Sequence, residues 1–73
     1  MEYIINVSEV EELQMTKSIA DLETIFSRAK SIIVQGGIVI LERQNADGSS
    51  YRFEEISTEE DLQKYHEKTF QYL

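Results

Sequence analysis

The chain offers few residues whose types could do chemistry. His66 is its single imidazole and it has no cysteine, so neither a histidine-built metal site nor a thiolate nucleophile is available. His66 stands between Tyr65 and Glu67 in a helical pattern, where neighbours in sequence point in different directions and cannot form a catalytic relay. The carboxylates Glu54, Glu55, Glu59, Glu60 and Asp61 are close enough in sequence to crowd a magnesium ion. A strand end and the first turn of a helix explain them better, as solvated and capping charges. Asn45, Asp47, Gly48 and Glu54 match positions of the EF-hand calcium loop. Arg43 falls at its first ligand position, however, and the flanks read as strands rather than helices. A cation would meet a guanidinium there. Gly36-Gly37 has neither the spacing of a phosphate-binding loop nor a helix after it. These residues predict no catalytic group, metal site or cofactor, and no enzyme.

Seventy-three residues make one domain, 1–73. A chain of this size buries only about 60% of the surface it exposes when unfolded, so a few kcal/mol of stability is expected. With no disulfide and no metal to supplement it, self-association is the natural support, and a homodimer is expected. The formal net charge is −7, and it sits at the ends. Residues 1–16 carry four acids and no base, residues 17–52 are nearly balanced, and residues 53–73 carry six acids against Lys64 and Lys68. Phosphate recognition needs clustered Lys and Arg, so nucleic acid is a disfavoured partner. The start, Met1-Glu2-Tyr3, has no basic signal-peptide region, and no apolar run approaches the roughly 20 residues of a membrane span. With no cysteine as well, a soluble cytoplasmic protein without membrane contact is expected.

The elements that must position these side chains follow from periodicity. Residues 2–7 (EYIINV) read as a strand, with Tyr3, Ile5 and Val7 on one face. Residues 8–17 are ambiguous: Val10, Leu13 and Met15 fit neither period, and Leu13-Gln14-Met15 suits a short strand. Ser18-Ile19-Ala20-Asp21 has the form of a capping box with Asp in place of Glu. After it, Ile19, Leu22, Ile25, Phe26, Ala29, Ile32 and Ile33 share one helical face. Gly36-Gly37 would end that helix. The β-branched run Ile32-Ile33-Val34 leaves a rival open, in which residues 31–35 are a strand and Gly-Gly is a hairpin loop. The apolar phase through Ile33 favours the helix.

Residues 38–56 read as a hairpin. Asn45-Ala46-Asp47-Gly48 suits a type I turn with Gly48 in the left-handed position. Uninterrupted pairing from that turn sets Arg43 against Tyr51, Glu42 against Arg52, Leu41 against Phe53 and Ile38 against Ile56. One face then collects Val39, Leu41, Tyr51 and Phe53 as core. The other carries Ile38, Ile40 and Ile56, more apolar surface than water should meet, and these three are the candidate dimer contact. Ser57 or Thr58 caps a last helix whose first turn holds Glu59, Glu60 and Asp61. Leu62, Tyr65, Phe70, Tyr72 and Leu73 give it an aromatic-rich arc that either packs on the sheet or forms a candidate partner contact. The predicted fold is a small α+β domain of order β-α-β-β-α: an antiparallel hairpin packed against an amphipathic helix, with a second short helix at the C-terminus.

Over residues 16–65 the chain resembles the Phd/YefM (prevent-host-death) antitoxins. The similarity rests on the amphipathic helix from Ser18, Gly37, and Ile38-Val39-Ile40-Leu41 leading to Arg43. After the turn come Tyr51-Arg52-Phe53 and Ile56, and then Ser57-Thr58-Glu59-Glu60-Asp61. The resemblance implies a non-enzymatic regulator that dimerises and binds operator DNA through its N-terminal part. Residues 57–73 would bind a basic protein toxin. The alternative from the residues alone is a self-associating structural or adaptor domain without nucleic-acid binding.

Overall fold

The structure, a computed structural model, describes residues 1–71 and 73. Its elements are β1 (Glu2–Asn6), α1 (Val7–Met15), α2 (Ile19–Val34), β2 (Ile38–Gln44), β3 (Ser50–Ile56) and α3 (Glu59–Phe70). β2 is the central strand of a three-stranded sheet; β1 runs parallel to it and β3 antiparallel. The α+β class holds, with three helices rather than two. Tyr3, Ile5, Val39, Leu41 and Ile56 turn toward the helices. There Ile5, Val39, Leu41 and Ile56 join Val7, Val10, Leu22, Phe26, Ala29, Ile33 and Leu62 in one buried cluster. The molecule measures 32 × 28 × 16 Å, the thickness of one helical layer on one sheet.

The ambiguous stretch 8–17 is α1, which starts where the strand was expected to continue. Asn6 is its N-cap, its side-chain oxygen accepting from the Ser8 N–H at 3.0 Å, and Glu9 supplies charge in the first turn. Val7 belongs to the helix. With it included, Val7 and Val10 are buried and Leu13 is half-buried at the next three-residue step, as a helix demands. The end of α1 is hidden in the sequence because no glycine marks it. Lys17 takes the left-handed conformation (φ 54°). Lys17 N–H donates to the Gln14 carbonyl and Ser18 N–H to that of Leu13, the paired bonds of a Schellman motif.

α2 continues through Val34, so the strand rival for 31–35 is excluded. Its start differs from expectation in one detail. Ser18 is the N-cap but makes no side-chain capping bond; its hydroxyl lies 2.8 Å from that of Thr16. Ile19, expected on the apolar face, is exposed, while Leu22, Phe26, Ala29 and Ile33 are buried. At the C-terminus Gly36 (φ 89°) donates to Ile33 and Gly37 to Ile32, a second Schellman motif. Gly37 is needed for closeness: a Cβ there would stand 2.5 Å from the Met1 carbonyl oxygen and 2.7 Å from Ile32 Cγ2. The end of α2 and the start of β1 meet at this point, and Ile38 N–H donates to the Met1 carbonyl.

The hairpin turn forms as its residues specify. Gly48 has φ 90°, and Asn45 N–H donates to the Ser49 carbonyl. The Asp47 carboxylate accepts from both the N–H and the hydroxyl of Ser49, bonds that hold its pKa below the ordinary value. Glu42 faces Arg52 and Arg43 faces Tyr51, as expected. Below that the register corrects the expectation. A bulge sets Leu41 against Glu54 rather than Phe53, and Val39 rather than Ile38 against Ile56. The shift exchanges Glu55 for Ile56 at the position facing the helices. Uninterrupted pairing would place Glu55 beside Val39, aimed at the helices, and Ile56 in water. One extra residue at Phe53 turns the carboxylate out and the isoleucine in, which avoids burying an unpaired charge.

Candidate interaction sites

Among the described residues, no helix lies on the second face of the sheet. Ile4, Ile38 and Ile40 form its apolar part, with Glu2, Glu42, Arg52 and Glu55 around them by register. Ile40 is only 1% exposed although it belongs to this face. Arg52 spans the row in which Ile40 lies. Its guanidinium approaches Glu42 on β2 at 3.9 Å and Glu2 on β1 at 3.7 Å. From β3 it reaches β1 only by crossing the central strand, and the row between those two glutamates is that of Ile40. The aliphatic stem of an arginine covers apolar surface while its head stays in water. Ile4, one strand further, keeps 46% of its surface exposed.

The helical face carries an open cleft of about 600 Å³ between α1, the sheet and α3. Val7, Val10, Leu41 and Ile56 contribute its apolar lining, and Glu54, Asp61, Lys64 and Lys68 are among its charged residues. On the α1 side Arg43 holds Glu11 through two bonds, 2.9 and 3.2 Å. That contact keeps the Glu11 carboxyl below the ordinary carboxylate value. Phe53 also lines the cleft; its ring packs against that of Tyr51 with centroids 6.2 Å apart, and each residue is 47% exposed. Tyr65 borders the same cleft, and its hydroxyl is buried with no hydrogen-bond partner among the described residues. Burial pushes its pKa up to about 12. The nearby Thr69 hydroxyl donates to the Tyr65 backbone carbonyl instead.

α3 is seated by aromatic packing. Phe26 of α2 meets Tyr65, His66 and Phe70 with centroids 5.4, 4.9 and 5.9 Å away, and His66 stacks on Phe70 at 4.5 Å. Gln14 of α1 donates to the Thr69 carbonyl at 2.8 Å. Thr58 is the N-cap, accepting from the Asp61 N–H at 3.1 Å. Of the partner contact expected on this helix, Leu62 is buried in the core and Tyr65, Phe70 and Leu73 pack partly buried against it. Tyr72 lies outside the described residues. Of the expected dimer contact, Ile38 and Ile40 share the bare face, whereas the bulge moves Ile56 to the core. Ile4 takes its place in the patch. Alternation in β1 signals this, since Tyr3 and Ile5 inward require Ile4 outward. The exposure of Tyr51 and Phe53 has no such signal, because strand periodicity alone places them in the core.

Comparison of the chain with models of known protein families, with curated proteins and with solved structures finds no match. Among the described residues no helix is long and apolar enough to cross a membrane.

Proposed function

We propose that the chain is a non-enzymatic protein-binding module that self-associates and receives a partner protein at the cleft between α1, the sheet and α3. The carrying observation is the half-exposed Tyr51–Phe53 pair beside that cleft. Exposed aromatic rings next to an apolar floor with charged surroundings have the make-up of an interface core and its rim. The overall charge of −7 favours a basic partner. Self-association is supported by the apolar patch on the uncovered sheet face.

The test compares the tagged protein with its Tyr51→Ala/Phe53→Ala variant in capture from extract of the native host. Both rings are half in water, so the variant should stay folded by circular dichroism. A partner retained by the parent at equal stoichiometry and lost by the variant is the expected result. Equal recovery by both would move the contact elsewhere. A second reading, an antitoxin-like regulator whose residues 57–73 wrap a basic toxin, draws support from the acidic first turn of α3. Truncation after Thr58 separates the two. The antitoxin reading expects a folded dimer that has lost its partner; the module reading expects unfolding, because the core loses Leu62 and Phe26 loses the rings of Tyr65, His66 and Phe70.

A further inference from the structure

Among the described residues, the sheet ends at the edge strand β1, whose outer side pairs with no other strand. Ile38 N–H donates to the Met1 carbonyl, and Glu2, Ile4 and Asn6 stand opposite Ile38, Ile40 and Glu42. In a parallel pair this phase commits the inward backbone groups of Met1, Tyr3 and Ile5 to β2. It points the N–H and C=O of Glu2 and Ile4, and the N–H of Asn6, away from the sheet. An open row of this kind is a template for another strand.

We infer that β1 is the pairing edge for a second copy of this chain, antiparallel about a two-fold axis at Ile4, which joins two three-stranded sheets into one of six. The inference rests on the self-association proposed above and names its surface and register. Four observations choose this occupant. First, the register is self-complementary. Ile4 meets Ile4 of the second copy as a reciprocally hydrogen-bonded pair, and Asn6 N–H of each copy meets the Glu2 carbonyl of the other. Second, no like charges are set directly opposite, because Glu2 faces Asn6 and Tyr3 faces Ile5. Third, the patch becomes continuous. The row Glu55, Ile40, Ile4 continues as Ile4, Ile40, Glu55 of the second copy, with four isoleucines between two terminal glutamates. That covers the exposed side of Ile4, the one large apolar side chain of this face left almost half in water. Fourth, the opposite edge is unsuited. β3 is bulged at Phe53, next to Glu54 and Glu55, and bulges and charges are how native edges avoid pairing.

The chain has no cysteine, so single cysteines report the geometry without background. The experiment combines sedimentation equilibrium of the full chain with oxidative cross-linking of Ile4→Cys, Tyr51→Cys and Met15→Cys. A hydrogen-bonded antiparallel pair has Cα atoms about 5.5 Å apart, inside the disulfide range of roughly 4.4–6.8 Å. The expected result is a dimer in which Ile4→Cys cross-links at least about tenfold faster than the other two, and a dissociation constant at least about tenfold weaker for Ile4→Lys. Ile4 is half-exposed, so Ile4→Lys should remain folded; if circular dichroism shows otherwise, the cross-linking rates decide. A chain that stays monomeric at high concentration overturns the self-association and this inference together. A dimer that cross-links through Tyr51→Cys, or not preferentially through Ile4→Cys, leaves self-association standing and overturns the β1 register.

Discussion

Tyr65 is the residue at which packing and polarity conflict. Its ring completes the seam with Phe26, yet its hydroxyl is buried with no partner among the described residues, a position that costs about 1–3 kcal/mol in protein contexts. Tyr65→Phe keeps the ring and removes the orphaned group. Chemical denaturation at neutral pH should therefore show equal or greater stability, by up to about 1 kcal/mol. The same burial raises the folded pKa to about 12 from 10.0, and the sign of the linkage follows. The neutral phenol is the form the fold accepts, so this contribution is complete below pH 10 and is lost as pH rises toward 12. Tyr65→Phe should flatten that alkaline decline; an unchanged slope would mean that the hydroxyl finds a partner in solution. None of this is legible in the sequence, where Tyr65 is one member of a helical stripe. The bulge at Phe53 had a weak signal. Phe53 and Ile56 are three apart, so two apolar residues fall on opposite faces of a strand unless one residue is inserted between them.

Legibility among the elements tracked the local chemistry of their ends. The hairpin turn carries Asn45, Asp47 and Gly48 where a type I turn with a glycine needs them, α2 ends at Gly36, and α3 begins at Thr58 before three acids; all were recoverable. α1 was not. Its cap Asn6 lies inside what reads as a strand, and its last turn ends on Lys17. The side chain of Met15, which blurs the period, is in water at 85% exposure. A lysine at φ 54° holds a conformation that costs an L-residue roughly 1–2 kcal/mol, whereas glycine adopts it freely. Lys17→Gly should therefore stabilise the domain by about 1 kcal/mol, less the entropy that the more flexible unfolded chain gains. Equilibrium urea unfolding checks this through a higher midpoint at unchanged slope. Loss of stability would show instead that the lysine side chain contributes something at the α1–α2 corner.

At the scale of the whole molecule, the number of layers was legible but the arrangement of the sheet was not. Local pattern specifies that β1 has an inward face; it does not specify that β1 joins the open side of β2 in parallel. That pairing depends on two helices returning the chain, and on Gly37 letting strand and helix end approach. It also decides which edge is left open, and hence which apolar residue, Ile4, stands at a boundary. The charge of the molecule then separates its two proposed associations. Each copy carries −7, so two copies repel beyond the β1 edge, and a basic partner is attracted to either. Raising ionic strength from about 0.01 M to about 0.1 M shortens the screening length from about 30 Å to about 10 Å. The homodimer should tighten over that range, while a complex with a basic protein should weaken, chiefly through slower association. Sedimentation across the salt series measures the first, and binding kinetics the second. A homodimer that instead loosens with salt would be held by opposite charges across its interface. The β1 register does not provide them, and pairing would then have to be sought where Arg43, Lys64 or Lys68 can meet carboxylates of the other copy.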